Sequence, residues 1–262
     1  MELNGIDVSK WNGVIQWPAV AASGIRFAMI RAAYGAKTDG ATLDPRFPAN
    51  IAGATAAGIS AGVYLYSYAL SVREAISEAD ALIRLLEPYR AQIAFPVACD
   101  IEELTQAALG RTVLTRMANA FADRIRTAGY TPLIYSNLNW LTNFFTPADF
   151  TADVWLAQWA KKPSYTGSYV MWQRTDRGSV PGITGNVDLN IAYVDFAADT
   201  SAQAVDRLYR AGRINSPDYW KAVVEGKSAA SAQNVAALLD KWAASLPDTP
   251  VQDPTLKKGK CP

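Results

Sequence analysis

"AFPVACDIEE", residues 94–103, is apolar for most of its length and then ends in three acids, Asp100, Glu102 and Glu103. A run of this kind reads as a strand built for a dry core. Acids where such a strand leaves the core have a plain explanation, since the start of a following helix favours negative charge. A sharper one is chemical. Side chains at i and i+2 of a strand share a face, so Asp100 and Glu102 point together into one cavity. Glu103 points the other way or starts the next loop.

The segments on either side decide between these readings. Upstream, "LNGIDVS", "IRFAMIRAAY" and "SAGVYLYSYAL" read as three strands; downstream, "TPLIYSN", "DVWLAQWA", "SYVMWQRT" and "NVDLNIAYV" read as four more. Helical patterns lie between the early ones. "WPAVAAS" stops at Gly24, "DPRFPANIAGATAAG" at Gly58, "VREAISEADALIRLLEPY" is broken by Pro88, and "LTQAALGRTVLTRMANAFADRIRTAG" stops at Gly129. After the fifth strand the helices thin out and loops join the strands. Alternation of this kind predicts an α/β fold with a mostly parallel sheet. About eight strands imply a closed barrel of irregular form, with functional groups at the C-terminal strand ends.

The acids fall at those ends. Asp7 closes the first strand, Asp100 and Glu102 the fourth, and Asp188 lies in the last. Tyr64 and Tyr66 in the third strand, Tyr135 in the fifth, Gln158 in the sixth and Gln173 in the seventh are expected to face inward. Trp155 and Trp159 flank Gln158 and are expected on alternating faces, with at least one of them in the core. A cavity rimmed by carboxylates and aromatic rings suits a sugar: rings stack on its apolar face and acids bond its hydroxyls.

Composition narrows the chemistry. The 262 residues include no histidine, which removes Ser-His-Asp and Cys-His catalysis and every His-ligated metal site. Two cysteines, Cys99 and Cys261, make neither a disulfide framework nor a structural zinc site. No metal or cofactor is expected. With 25 basic against 24 acidic residues there is no electrostatic footprint for nucleic acid. No apolar run is long enough to span a bilayer, and the N-terminus lacks the pattern of a secretory signal. Carboxylate chemistry of the glycosidase kind fits what remains.

Several segments resemble one family. "GIDVSKWNGVIQW" is similar to the opening of the glycoside hydrolase family 25 lysozymes, "CDIE" to their D-x-E strand end, "VYLYSYA" to their third strand, and "VWLAQW" and "VDLNIAY" to their sixth and last. The likeness covers roughly residues 3–195. It implies a β/α barrel of about eight strands and five helices over residues 1–197. It also implies cleavage of bacterial peptidoglycan at the β-1,4 bond from N-acetylmuramic acid to N-acetylglucosamine. Glu102 would be the general acid. Asp100 would orient the substrate's acetamido group or stabilise positive charge, and Asp7 and Asp188 would complete an acidic floor. Tyr64, Tyr66, Tyr135, Trp155, Gln158 and Gln173 are the candidate substrate contacts. Family members often carry histidine at the places of Lys10 and Leu65, which reads as altered substrate contacts. Carboxylate crowding supports the acid role independently, because a second negative charge nearby raises a carboxyl pKa.

Residues 198–247 change character and read as three short helices: "SAQAVDRLYRAG", "SPDYWKAVVEG" with Ser216 as N-cap and Pro217 first in the helix, and the amphipathic "SAQNVAALLDKWAASL". This small all-α module is expected to bind cell wall or another protein through Tyr219 and Trp220, the alternative being that both rings form its core. Residues 248–262 read as a disordered tail. The resulting expectation is a monomeric phage endolysin held in the host cytoplasm until release to the wall, or a virion-associated lysin. The rival from another class is a non-catalytic peptidoglycan-binding or virion structural protein that keeps the barrel. A chitinase-like hydrolase fits less well, because the fourth strand offers only D-x-E.

Overall fold

The computed structural model describes residues 2–35, 40–197, 205, 208–209, 214–224 and 227–243. Nine strands form one sheet: β1 (Leu3–Val8), β2 (Phe27–Gly35), β3 (Ala41–Leu43), β4 (Ser60–Tyr66), β5 (Ile93–Asp100), β6 (Pro132–Asn137), β7 (Asp153–Ala157), β8 (Met171–Gly178) and β9 (Val187–Ala192). Their order is β1-β9-β8-β7-β6-β5-β4-β2-β3, and β1 also pairs with β2. Eight strands therefore close into a barrel, and short β3 is an antiparallel strand on β2 outside the ring. The pairs β1–β2, β2–β4, β4–β5, β5–β6, β6–β7 and β7–β8 are parallel. The last strand, β9, runs antiparallel to both β8 and β1. That reversal brings the first residues of β9, including Asp188, to the barrel end where the parallel strands finish.

The strand alternation sorts side chains into two layers. Ile6, Ile30, Val63, Val97, Cys99, Ile134 and Leu156 face outward and pack with the helices. Phe27, Met29, Phe95, Leu133, Trp155 and Met171 fill the barrel. Phe27 and Phe95 stack at 4.8 Å, and Phe196 meets Phe95 edge-on at 5.4 Å. Gly5 is required here, since a Cβ would stand 2.3 Å from the Phe27 ring.

Five helices belong to the described barrel unit: α1 (Trp17–Ala22), α2 (Phe47–Ala56), α3 (Val72–Leu86), α4 (Arg111–Thr127) and α5 (Leu138–Asn143). The segment expected as one helix over 104–129 divides. Leu104–Leu109 is a 3-10 turn, Gly110 takes φ +81°, and α4 starts at Arg111. A positive φ is cheap only for glycine and cannot continue a helix. Sequence reading also passed over α5, which directly follows β6.

The loop after β4 is tied to α3 by a buried carboxyl. Glu78 Oε2 accepts from Ser67 Oγ at 2.6 Å and its Oε1 from Tyr68 N at 2.9 Å. Gln106 Nε2 donates to Ala69 O at 2.9 Å from the other side. Burial pushes Glu78 up to about 7, against the lowering effect of the Ser67 and Tyr68 bonds. A carboxyl raised on folding contributes stability that is full below its unfolded value and is lost as pH rises through its folded value. The shift corresponds to on the order of 2–3 kcal/mol lost between about pH 4.5 and 7. Glu78→Gln keeps the shape and mimics the neutral carboxyl, with its amide oxygen accepting from Tyr68 N and its amide nitrogen donating to Ser67 Oγ. Denaturant unfolding at pH 5 and pH 8 should therefore show a smaller loss of stability in this variant, by on the order of 2 kcal/mol; equal losses in both proteins would contradict the assignment.

Contacts divide the chain into two units, Met1–Ala197 and Ala198–Pro262. In the second, α6 (Pro217–Val224) begins at the proline and α7 spans Ala232–Ala243. Tyr219 Oη accepts from Ser231 N at 2.7 Å, so this ring ties α6 to the residue before α7. The helix expected over 201–212 lies, apart from Val205, Leu208 and Tyr209, outside the described residues, as does the tail at 248–262.

Candidate active site

The parallel strand ends converge on one acidic mouth. Asp7 on β1 pairs in register with Asp188 on β9. Asp7 is buried, and its Oδ2 accepts from Asn190 Nδ2 at 2.7 Å and from Gln173 Nε2 at 3.0 Å. Asp188 Oδ2 accepts from the same Gln173 nitrogen at 3.2 Å. The two carboxyl groups also bond to each other. Burial, with the Asp7 charge beside it, pushes Asp188 up to about 9. Burial raises Asp7 too, but bonds from Gln173, Asn190 and Asp188 oppose that rise. Burial thus raises both carboxyls, and the bond between them favours the proton on Asp188, which faces Asp7 as a donor. Asp188→Asn preserves a donor at this place and should cost about tenfold or less in kcat, the worth of one neutral hydrogen bond. A loss as large as that of an Asp7 variant, measured side by side, would show that Asp188 acts as an anion.

Asp100 ends β5 between Tyr66 of β4 and Tyr135 of β6. It is only 5% exposed, and its buried Oδ1 has no hydrogen-bond partner among the described residues. Burial holds it well above the usual carboxylate range; Glu102 and Asp7 push it further, and Arg31 opposes them. Arg31 lies on β2 next to Tyr64, with its Nε donating to Asp44 Oδ2 at 2.8 Å.

Glu102 stands two residues past Asp100, partly buried at the mouth. Asn137, the last residue of β6, donates Nδ2 to Glu102 Oε2 at 3.3 Å. Its Oδ1 accepts from Trp140 N at 3.1 Å as the N-cap of α5. The cap therefore fixes which end of the amide faces the acid. Burial raises Glu102, and Asp7 and Glu103 add to this against the Asn137 bond. A carboxyl that keeps its proton toward neutral pH is what acid catalysis requires.

The remaining candidates separate into lining, support and core. Tyr64 is partly buried, and burial and then the Asp7 charge hold its hydroxyl well above its ordinary value. Tyr66 donates to Glu103 Oε2 at 3.0 Å, so Glu103 bonds a cleft tyrosine as well as opening the 3-10 turn. Tyr135 and Gln173 are buried and hold each other, with Tyr135 Oη donating to Gln173 Oε1 at 3.1 Å. Gln173 spends both ends of its amide on the floor, and it orients acids rather than substrate. Trp155, expected to contact substrate, is 1% exposed and belongs to the barrel core. It meets Tyr135 at 4.6 Å and donates Nε1 to Asn190 Oδ1 at 2.8 Å. Gln158, expected to face inward, lies just beyond β7 and bonds Ser164 instead, at 2.8 and 2.9 Å. Leu65 points into the outer layer, so no substrate contact arises from that place.

Sequence reading did not assign Asn137, Asn190 or Trp159 to the site. Asn190 is two residues after Asp188 on the same face. Trp159 continues the inward positions Trp155 and Ala157, is 61% exposed, and donates Nε1 to Gln173 Oε1 at 3.1 Å. It supplies the open aromatic surface beside the acids that was expected of Trp155. Among the described residues no cluster of three or more His, Cys, Asp or Glu side chains could hold a metal ion.

Known proteins share this arrangement of sequence and fold. The pattern of the glycosyl hydrolases family 25 matches residues 6–183. The uncharacterized protein YegX of Escherichia coli K12 is 31% identical over 201 residues, which cover 72% of this chain and 69% of that one. Lysozyme M1 of Streptomyces globisporus is 29% identical over 201 residues, 72% of this chain and 67% of that one. Among solved structures, the Streptomyces coelicolor lysozyme aligns with a TM-score of 0.57 at 27% identity, over 72% of this chain and 90% of that one. The modular autolysin LytC of Streptococcus pneumoniae, solved with a synthetic peptidoglycan ligand, aligns with a TM-score of 0.63 at 25% identity over 73% of this chain. Only 47% of LytC is matched, so the chain spans about half the length of that protein. With the family pattern running from the first acidic strand to the turn before the last, the chain belongs to the glycosyl hydrolases family 25, and its barrel is a glycoside hydrolase unit.

Proposed function

We propose that the protein is a muramidase that cuts bacterial peptidoglycan between N-acetylmuramic acid and N-acetylglucosamine. The observation that carries this reading is Glu102, raised by burial, oriented by Asn137, and grouped with Asp7, on which the Gln173, Asn190 and Asp188 donors converge. Glu102 gives its proton to the glycosidic oxygen as the bond from that oxygen to the sugar carbon breaks. Positive charge developing on the sugar ring is met by Asp7. Burial and the nearby acids favour the neutral form of Asp100, which suits a hydrogen-bond donor to the substrate's acetamido oxygen better than a counter-charge. Water then adds at the sugar carbon, and the proton it loses restores the acid at Glu102. The names of relatives support the substrate: one is a lysozyme and another, from Clostridium acetobutylicum, an autolytic lysozyme.

Insoluble peptidoglycan incubated with the purified protein, followed by mass spectrometry of borohydride-reduced products, tests the bond. New muramic-acid reducing ends are the expected result. Glucosamine ends would keep the glycosidase and refute the bond, and binding with no new ends would favour a binding protein that retains the barrel.

We further propose that the protein lyses a bacterial host from within, as an endolysin. Its physiological test is expression in a bacterium with and without a membrane-permeabilising agent. Lysis only after permeabilisation is expected; lysis without it would mean that the protein reaches the wall unaided.

A further inference from the structure

The cleft floor is acidic, yet one cation stands at its rim without a carboxylate among the described residues. Lys10 starts a 3-10 turn over Lys10–Asn12, directly after β1. Its backbone is fixed on two sides. Ser9 N donates to Asn12 Oδ1 at 2.9 Å and Trp11 N to Ser9 Oγ at 3.3 Å. Lys10 N donates to the buried Asp44 Oδ2 at 3.1 Å. The ammonium lies 4.7 Å from the ring centroid of Trp11 and 5.5 Å from that of Tyr34. Among the described residues the ion pairs are Arg31–Asp44, Arg124–Asp80, Arg126–Asp123 and Arg177–Asp176, and none includes Lys10. Asp44, which holds the Lys10 backbone, spends its side chain on Arg31 as well.

Position ties this cation to the catalytic mouth. A register shift between Arg31 and Ala33 puts both Arg31 and Tyr34 of β2 on the inward face. Tyr34 pairs with Tyr66, and Tyr66 with Asp100. The Lys10 platform therefore stands two strands from Asp100, about 10 Å along the sheet. Trp11 is 78% exposed, so the platform is open to a ligand. Cation–π contacts hold an ammonium in place while leaving its donors free for an anion.

We propose that Lys10, seated on Trp11 and Tyr34, is a specificity-determining subsite that takes a carboxylate carried by the glycan chain. This rests on the glycan-cleaving reading above. Two sources share that chemistry, a carboxylate of the peptide stem and the lactyl carboxylate of a muramic residue that has lost its stem. A bare acetylglucosamine polymer carries neither, so the subsite separates wall glycan from chitin-like chains by charge as well as by shape.

Equilibrium binding by calorimetry tests this in the full-length Glu102→Gln protein, which leaves the ligand intact. The ligands are soluble peptide-bearing glycan, amidase-stripped glycan, and the same chains with carboxyls converted to amides. Adding Lys10→Met is expected to weaken binding of carboxylate-bearing chains about fivefold, the scale of an accessible ion pair, with Lys10→Arg restoring most of it. Amidated chains should bind both proteins equally. Weakening confined to peptide-bearing chains assigns the stem, weakening confined to stripped chains assigns the lactyl group, and weakening on both shows that the subsite takes either carboxylate. Equal affinities for every chain, the same weakening on amidated chains, or no glycan binding at all would overturn the inference. Carboxylate-selective binding through Lys10 without cleavage by the parent protein would instead overturn the muramidase reading and leave the subsite standing.

Discussion

Replacing Glu102 with Gln is expected to lower kcat on peptidoglycan by about 10³-fold, within the 10²–10⁴ range that positioned acids contribute, while leaving the fold intact. The side chain is partly buried and accepts a hydrogen bond from Asn137 at 3.3 Å. A glutamine oxygen accepts that bond equally well, so the melting temperature should stay within a few degrees of the parent's. What the variant lacks is a proton that can leave. A glycosidic oxygen departs poorly unless it is protonated as the bond breaks, and of the two partly exposed, raised carboxyls at the mouth, Glu102 and Asp188, the second is engaged with Asp7 and Gln173. Asp100 is raised further but is only 5% exposed, deeper in the cleft than Glu102. Assays should follow new reducing ends over hours so that a residual rate is resolved from zero.

Asp7→Asn is the second large effect, expected at about 10²-fold or more in kcat, comparable to removing an electrostatic stabiliser aimed at developing charge. Two amide donors, Gln173 and Asn190, and the Asp188 proton converge on this carboxylate. Such a convergence favours the charged form of Asp7 and opposes the rise that burial imposes. The introduced amide would carry no charge, and its nitrogen would face one of those donors. The same substitution relieves Glu102 and Asp100, since Asp7 helps to raise both. The alkaline limb of the kcat/KM profile should therefore move to lower pH in whatever activity remains. A loss below tenfold, or an alkaline limb that does not move, would remove Asp7 from the role given to it.

Sequence reading reached the barrel because its evidence is local. Strand alternation in "AFPVACDIEE" and its neighbours placed Asp7, Asp100 and Glu102 at strand ends, and closure into eight strands followed from their number. The antiparallel course of β9 was not legible, because nothing in "NVDLNIAYV" encodes direction; only pairing with β1 and β8 sets it. Direction in turn decides that Asp188 meets Asp7. Trp155 and Trp159 show the same limit within one strand. Both share a parity, and depth along the barrel axis makes the first core and the second surface. Gln173 was read as facing inward, which it does, yet its four bonds to Asp7, Asp188, Tyr135 and Trp159 depend on three other strands and a loop. Asn137 could have been found: an asparagine ending a strand just before a helix is a cap signal, and a cap fixes the amide's other end. Leu65 was misplaced because a single step along a strand exchanges cleft for outer layer.

Whether Glu102 protonates the leaving group is decided by leaving-group rescue. The parent and Glu102→Gln would each be given peptidoglycan and a dinitrophenyl glycoside of the glucosaminyl–muramic acid disaccharide, whose leaving group departs without a proton. An acid at Glu102 means a loss of about 10³-fold on peptidoglycan and at most a few-fold on the activated glycoside. An equally large loss on both substrates would refute the assignment and place Glu102 in a role other than acid.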